Sequence, residues 1–281
     1  GNISIFINIS PGNTTYPTQT NTTCWKTNDP YNQATINLFR NDSSANSENN
    51  TFITLGAASW NYVCNNSQTQ NYTSNTTSSI LTISKNTSTA NFIHLRFNST
   101  VTDDNRTYTY EEASNTTGFK DISEGNLTLF RNGTTVGVLQ SQTPNETIIL
   151  GNASYNYTLQ FIDNGNYSGA TRTNYVFVNQ KTITINVTLN NSATDRTYIY
   201  PAVINAPGNR SHTLNSEGTI FLFRDGTQVN SSTSTIVTEV IRLPNNTYNY
   251  SLILSASNYS ATPFVNRFAS VNKGNVILSL T

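Results

Sequence analysis

One pentapeptide constrains this chain more than any other feature. Leu38-Phe39-Arg40-Asn41-Asp42 returns as Leu129-Phe130-Arg131-Asn132-Gly133, and again as Leu222-Phe223-Arg224-Asp225-Gly226. The arginines stand 91 and then 93 residues apart. A period of about 90 residues is the size of one β-sandwich domain. Other landmarks keep the same order. Upstream lie Asn13-Thr14-Thr15-Tyr16, Asn105-Arg106-Thr107-Tyr108 and Asp195-Arg196-Thr197-Tyr198. Downstream, an apolar run and a turn precede Trp60 and Tyr62, Tyr155 and Tyr157, and Tyr248 and Tyr250. The alternation Tyr155-x-Tyr157-x-Leu159-x-Phe161 has period two, the mark of a strand with one buried face. Short strands broken by Gly, Asn and Pro predict an all-β chain of tandem Ig-like sandwiches.

Between the units lie further alternating strands, at Ile93–Phe97 and Ile183–Leu189. Similar strands open the chain at Ile3–Ile9 and close it at Val276–Leu280. Three units therefore come with four junction strands. If each unit ends with its own copy, the first is left over. This divides the chain into a free N-terminal donor strand and hinge at 1–11, then Ig-like domains at 12–98, 99–190 and 191–281. The spare strand has an apolar face of Ile3, Ile5, Ile7 and Ile9. Burying four isoleucines is worth roughly 1.5–3 kcal/mol each, so the strand must dock. Two placements fit it: the first strand of domain 1, or insertion into a neighbouring molecule by strand addition. A head-to-tail contact that does not close into a ring makes a filament.

Composition narrows the setting. Lys+Arg and Asp+Glu number 15 each, a balance that argues against binding nucleic acid or an anionic membrane through a basic face. No apolar run of about 18 residues is available to span a membrane. The chain has no methionine and starts at Gly1, so a processed N-terminus with the signal peptide already removed is expected. Its two cysteines, Cys24 and Cys64, read as a disulfide in an exported chain. Asn-x-Ser/Thr acceptor triplets are dense. Expected glycan sites are Asn2, Asn8, Asn13, Asn21, Asn41, Asn49, Asn65, Asn71, Asn75, Asn86 and Asn98. They continue at Asn105, Asn115, Asn132, Asn145, Asn152, Asn166, Asn190, Asn209, Asn230, Asn245 and Asn258.

No catalytic pattern emerges. His94 and His212 are the only histidines, and neither sits in a metal or triad spacing, so His94 reads as an ordinary surface residue. Asp103-Asp104 reads as a loop acid pair. Arg40, Arg131 and Arg224 read as structural. Glu124 and Glu217 precede the latter two by seven residues, where the first unit has Gln33, which suggests an Arg–Glu contact within each domain. Tyr155 and Tyr248 suit the corner tyrosine of a sandwich.

The pattern Leu150-Gly151-x-x-Ser154-Tyr155-x-Tyr157 followed by Asn166-Tyr167, with Asn258-Tyr259 in the third unit, resembles small Ig-like repeats of prokaryotic surface proteins. Residues 3–9, the density of acceptor triplets and the absence of a pilin helix also resemble archaeal thread filament subunits. That resemblance implies glycosylated Ig-like domains that polymerise head to tail by donor-strand complementation. It implies an extracellular appendage serving adhesion, with copies of itself as partner, no cofactor beyond covalent N-glycans, and no enzymatic activity. It also implies isopeptide links, for which Lys26, Lys85, Lys120, Lys181 and Lys273 are the available lysines; none keeps an equivalent position in all three units. The alternatives are a monomeric adhesin or a surface-layer-associated module.

Overall fold

The computed structural model describes residues 1–100, 102–213, 217–262 and 266–275. Nearly every element in it is a strand. The first unit contains β1 (Ser4–Ser10), β2 (Thr14–Thr15), β3 (Gln19–Thr27), β4 (Ile36–Arg40), β5 (Ser43–Ser44), β6 (Phe52–Thr54), β7 (Ser59–Asn66) and β8 (Asn75–Ser84). The second contains β9 (Ile93–Phe97), β10 (Arg106–Thr109), β11 (Ala113–Lys120), β12 (Leu127–Arg131), β13 (Thr134–Ser141), β14 (Asn145–Ile149), β15 (Ser154–Phe161) and β16 (Ala170–Asn179). A short β17 (Lys181–Ile183) leads into the third unit. There follow β18 (Ile185–Val187), β19 (Arg196–Ile199), β20 (Val203–Arg210), β21 (Thr219–Arg224), β22 (Thr227–Ser232), β23 (Ile236–Arg242), β24 (Asn246–Ser255), β25 (Tyr259–Ala261) and β26 (Asn266–Asn272).

Each unit builds the same two sheets. The three-stranded sheets are β1-β3-β6, β9-β11-β14 and β18-β20-β23. The five-stranded sheets are β2-β8-β7-β4-β5, β10-β16-β15-β12-β13 and β19-β26-β24-β21-β22. In each, the second strand runs parallel to the last and the other pairs are antiparallel. These are Ig-like sandwiches. The repeated pentapeptide is the end of β4, β12 or β21 and the turn after it. Asn41-Asp42, Asn132-Gly133 and Asp225-Gly226 all have positive φ, from 48° to 78°. That is the two-residue hairpin turn for which Asn-Gly and Asp-Gly are the favoured sequences. In each copy the side-chain oxygen of the first turn residue accepts a backbone N–H from the neighbouring strand, at Asn61, Asn156 and Asn249.

The junction strands open the domains; they do not close them. Ile93, Leu95 and Phe97 are fully buried in the core of the second domain, and β9 pairs with β11. Ile185 and Val187 belong to the third core, and β18 pairs with β20. The boundaries expected at residues 98/99 and 190/191 therefore move upstream, ahead of these strands. The count of spare strands changes with them. β1 pairs with β3 over seven residues, from Ser4↔Thr27 to Ser10↔Asn21. Ile3 and Ile5 are 1% and 8% exposed, and Ile7 and Ile9 pack against the same first core. In this chain the expected donor strand thus completes its own domain. The closing strand expected at Val276–Leu280 lies outside the described residues.

Cys24 and Cys64 form a disulfide between the two sheets, with Cα atoms 5.7 Å apart. The register shows what stands there in the sister domains. Cys24 lies opposite Ile7 of the opening strand, as Gly118 lies opposite Leu95 and Gly208 opposite Val187. Cys64 lies opposite Leu38, as Leu159 lies opposite Leu129 and Leu252 opposite Leu222. The second and third domains fill the position with a glycine packed under a leucine. A Cβ on Gly118 would come within 2.3 Å of Leu159, and one on Gly208 within 2.4 Å of Leu252.

Candidate functional site: the interdomain junctions

A pair of tyrosines and a set of polar groups meet at the first junction, and the second repeats most of the arrangement. Tyr16 follows β2, Tyr110 follows β10 and Tyr200 follows β19. Their backbone N–H groups donate to Ser84, Asn179 and Asn272 at the ends of the last strands. Sequence landmarks align Tyr16 with Tyr108 and Tyr198. The pairing aligns it with Tyr110 and Tyr200 instead, because Tyr108 and Tyr198 turn inward and are buried in their own domains. Tyr16 points down the chain. Its ring meets Tyr167 of the next domain edge-on at 5.4 Å, and Tyr110 meets Tyr259 edge-on at 5.2 Å. Such edge-to-face pairs are worth about 0.5–1.5 kcal/mol beyond burial.

A polar relay runs beside the rings. The Tyr16 hydroxyl donates to Glu124 Oε1 at 2.5 Å, and Asn166 Nδ2 donates to Glu124 Oε2 at 2.8 Å. Asn166 Oδ1 then reaches back into the first domain and accepts the Ala57 N–H at 2.9 Å. At the second junction Asn258 Nδ2 donates to Glu217 Oε2 at 2.5 Å, and Asn258 Oδ1 accepts the Asn152 N–H at 2.6 Å. Asn86 N donates to Asn166 O at 2.9 Å, and Lys181 N to Asn258 O at 3.0 Å. At the second junction this ribbon extends into the parallel pair β17–β25. Glu111 adds to that joint by accepting from the Tyr259 hydroxyl and Lys181 Nζ, each at 2.5 Å. The hydrogen bond from Lys181, then that from Tyr259, holds the Glu111 carboxyl below its usual range. At Tyr16 the hydrogen bond to Glu124 is the first cause that pushes the phenol up to about 12.

This geometry explains the Leu-Gly and Asn-Tyr landmarks. The glycine of one domain receives the asparagine of the next. A Cβ on Gly56 would lie 3.0 Å from Asn166 Oδ1, and one on Gly151 equally close to Asn258 Oδ1. The turn carbonyl is held too, by Trp60 Nε1 at Gly56 and by the hydroxyls of Tyr155 at Gly151 and Tyr248 at Pro244, each at 3.0 Å. Tyr155 and Tyr248 therefore act as corner residues, as their place in the sequence suggests.

Glu124 and Glu217 do not pair with the repeated arginines. Arg40, Arg131 and Arg224 bind the downstream Glu48, Glu146 and Glu239 at 3.0, 2.7 and 2.5 Å. The second oxygen of each glutamate accepts from a fully buried tyrosine, Tyr62, Tyr157 or Tyr250. The sequence offset of seven pointed to the wrong acid because residue spacing does not reveal which sheet edge a loop crosses. His94 also has more partners than a surface residue needs. It bridges Asp103 and Asp121 at 2.9 Å each and stacks on Phe119, while Asp103 also receives Arg172. Lys26, Lys85 and Lys181 make ion pairs with Asp29, Asp163 and Glu111, and Lys120 donates to the Ile122 carbonyl.

The junctions also bear on glycosylation. Asn166 and Asn258 sit in acceptor triplets, yet the amide nitrogen of each is bound to a glutamate, and Asn258 is only 9% exposed. Asn41 and Asn132 are exposed, and their side-chain oxygens alone serve the hairpin turn. Peptide mapping by mass spectrometry is expected to find Asn166 and Asn258 unmodified and Asn41 and Asn132 carrying sugar. Occupancy at Asn258 would mean that the second joint opens before or during modification.

No protein-family model matches the chain, and no curated protein matches it. Solved structures give similarities to the I9–I11 tandem of titin (9% identity, 96% of this chain and 100% of that one, TM-score 0.30). They also include the fibronectin(III)-like modules of Clostridium thermocellum CbhA (10% identity, 66% and 98%, TM-score 0.30). A third is the three N-terminal domains of the bacteriophage RB49 outer capsid protein Hoc (14% identity, 98% and 99%, TM-score 0.28). At these values the Ig-like assignment rests on the strand pairing itself. No helix among the described residues is long and apolar enough to cross a membrane. The disulfide fits an oxidising compartment.

Proposed function

We propose that the chain is a structural subunit of an extracellular, archaeal thread-like appendage serving adhesion. In this reading copies join head to tail, and N-glycans cover the outward faces. The supporting observation is the lock built twice from the same residue types, which makes three sandwiches one mechanical series. An adhesin stalk needs the same stiffness. The cis pairing of β1 favours that second reading, a monomeric surface module, over linkage by strand donation. Donating β1 would uncover Ile3 and Ile5, at roughly 1.5–3 kcal/mol each, unless an equal groove received them. Electron microscopy of the secreted protein beside a variant lacking residues 1–10 separates these readings. Filaments lost on truncation, and not restored when a peptide of residues 1–10 refills the groove in domain 1, mean strand donation. Filaments that survive it mean end-to-end docking. Single extended particles in both samples mean the monomeric module.

A further inference from the structure

The first and the third described domains each carry, on their outer side, one half of the internal joint. At the head, Asn71 Nδ2 donates to Gln33 Oε1 at 2.6 Å, beside Tyr72. That is the contact Asn166 makes with Glu124 and Asn258 with Glu217. Asn71 and Gln33 are both exposed. At the tail, Tyr200 occupies the place of Tyr16 and Tyr110 and is 52% exposed. Pro244 occupies the place of Gly56 and Gly151, and its carbonyl takes the same corner hydrogen bond. Tyr200, Pro244, Asn245, Lys273 and Gly274 line an open pocket of about 380 Å³. At the internal joints the equivalent place is filled by Asn166-Tyr167 or Asn258-Tyr259.

We infer that this tail pocket receives the Asn71-Tyr72 corner of a second copy of the chain, through a weakened replica of the internal joint. The inference rests on the end-to-end reading above and supplies its contact. The Tyr200 hydroxyl meets the Gln33 amide, and Asn71 Oδ1 accepts the Asn245 N–H, so this contact requires both asparagines, although they lie in acceptor triplets, to carry no sugar. Three features make this joint weaker than the internal ones. Pro244 puts a Cβ where Gly56 and Gly151 leave 3.0 Å to the asparagine oxygen, so Asn71 must shift by a few tenths of an ångström. Gln33 replaces a carboxylate, and a neutral hydrogen bond has roughly half the strength of a charge-assisted one. Gly1 already holds Asn71 O at 2.7 Å and Thr73 N at 3.2 Å, the places that the linker residue Asn86 takes at the first joint. An arriving copy must displace Gly1 or forgo the backbone ribbon. Joints between copies are then reversible while joints within a chain hold.

Sedimentation velocity of the full chain over a wide concentration range tests this. Gln33→Glu with Pro244→Gly rebuilds the internal joint at the ends and is expected to lower the concentration for association by about tenfold or more, as 1.4 kcal/mol would. Tyr200→Ala is expected to raise it by a similar factor. Circular dichroism confirms that each variant is folded. Association that ignores both variants overturns the inference, yet leaves end-to-end assembly standing through another contact. Absence of association in the unmodified chain at every concentration overturns both the inference and the filament reading.

Discussion

Replacing Cys24 and Cys64 together by serine is expected to destabilise the first domain by about 2–4 kcal/mol and to leave the other two unchanged. The bridge closes a loop of 40 residues, so most of the loss comes from a freer unfolded chain. Two buried hydroxyls add to it, because both positions are 3% exposed or less. The sister domains suggest a gentler substitution. Cys24→Gly with Cys64→Leu copies the glycine-under-leucine pair of Gly118–Leu159 and Gly208–Leu252. A buried leucine returns roughly 1.5–3 kcal/mol, so this variant is expected to be more stable than the serine pair. The readout is domain-specific, since both tryptophans, Trp25 and Trp60, lie in the first domain. Urea unfolding followed by tryptophan fluorescence, with and without reductant, gives the order. If the Gly–Leu variant is no more stable than the serine pair, the equivalence of the three positions fails.

Glu146→Ala is expected to cost the second domain about 2–3 kcal/mol, far more than Glu124→Ala. Glu146 holds Arg131 at 2.7 Å and the hydroxyl of Tyr157 at 2.7 Å, so its loss strands a cation and a phenol between the sheets. Glu124 faces the next-door domain, and its loss loosens a joint without opening a core. Hydrogen exchange at β11 and β15 measures the first effect, and small-angle scattering measures the second as a bent particle. Alkaline titration adds a check. Burial first, and then the hydrogen bond to Glu146, push the Tyr157 phenol up to about 12. A phenol raised in the folded state contributes stability that is fully present below its unfolded value near 10. That stability is lost as pH rises from there through 12. With Glu146→Ala the phenol is expected to ionise at lower pH, so the loss still begins near 10 but ends sooner and is smaller. Equal destabilisation by Glu124→Ala would overturn this division of roles.

The joints were only partly legible in the sequence. Asn166-Tyr167, Asn258-Tyr259 and the Leu-Gly turns stood out as landmarks, yet nothing in one dimension says that a glycine and an asparagine about 110 residues apart touch across domains. Tyr16 was misaligned by two residues, because a tyrosine two positions earlier in the later units, Tyr108 or Tyr198, offers the same local pattern with its side chain turned inward. The acid partners of the repeated arginines were missed for a similar reason. Glu48, Glu146 and Glu239 lie 8 to 15 residues downstream and arrive by way of a hairpin whose length differs between copies.

By itself the sequence determined the number of repeats, the strand character and the pairing of the two cysteines. These follow from rules read along the chain: a recurring pentapeptide, period-two alternation, and two cysteines in an otherwise cysteine-free sequence. The tertiary structure alone decided where each domain begins. A junction strand such as Ile93–Phe97 presents the same apolar alternation to the unit before it and to the unit after it. Only the hydrogen-bond register against β11, with Ile93, Leu95 and Phe97 fully buried, assigns it forward. The same physics gave β1 to its own domain. Strand addition is decided by which edge is open within reach, and reach is a property of the folded chain.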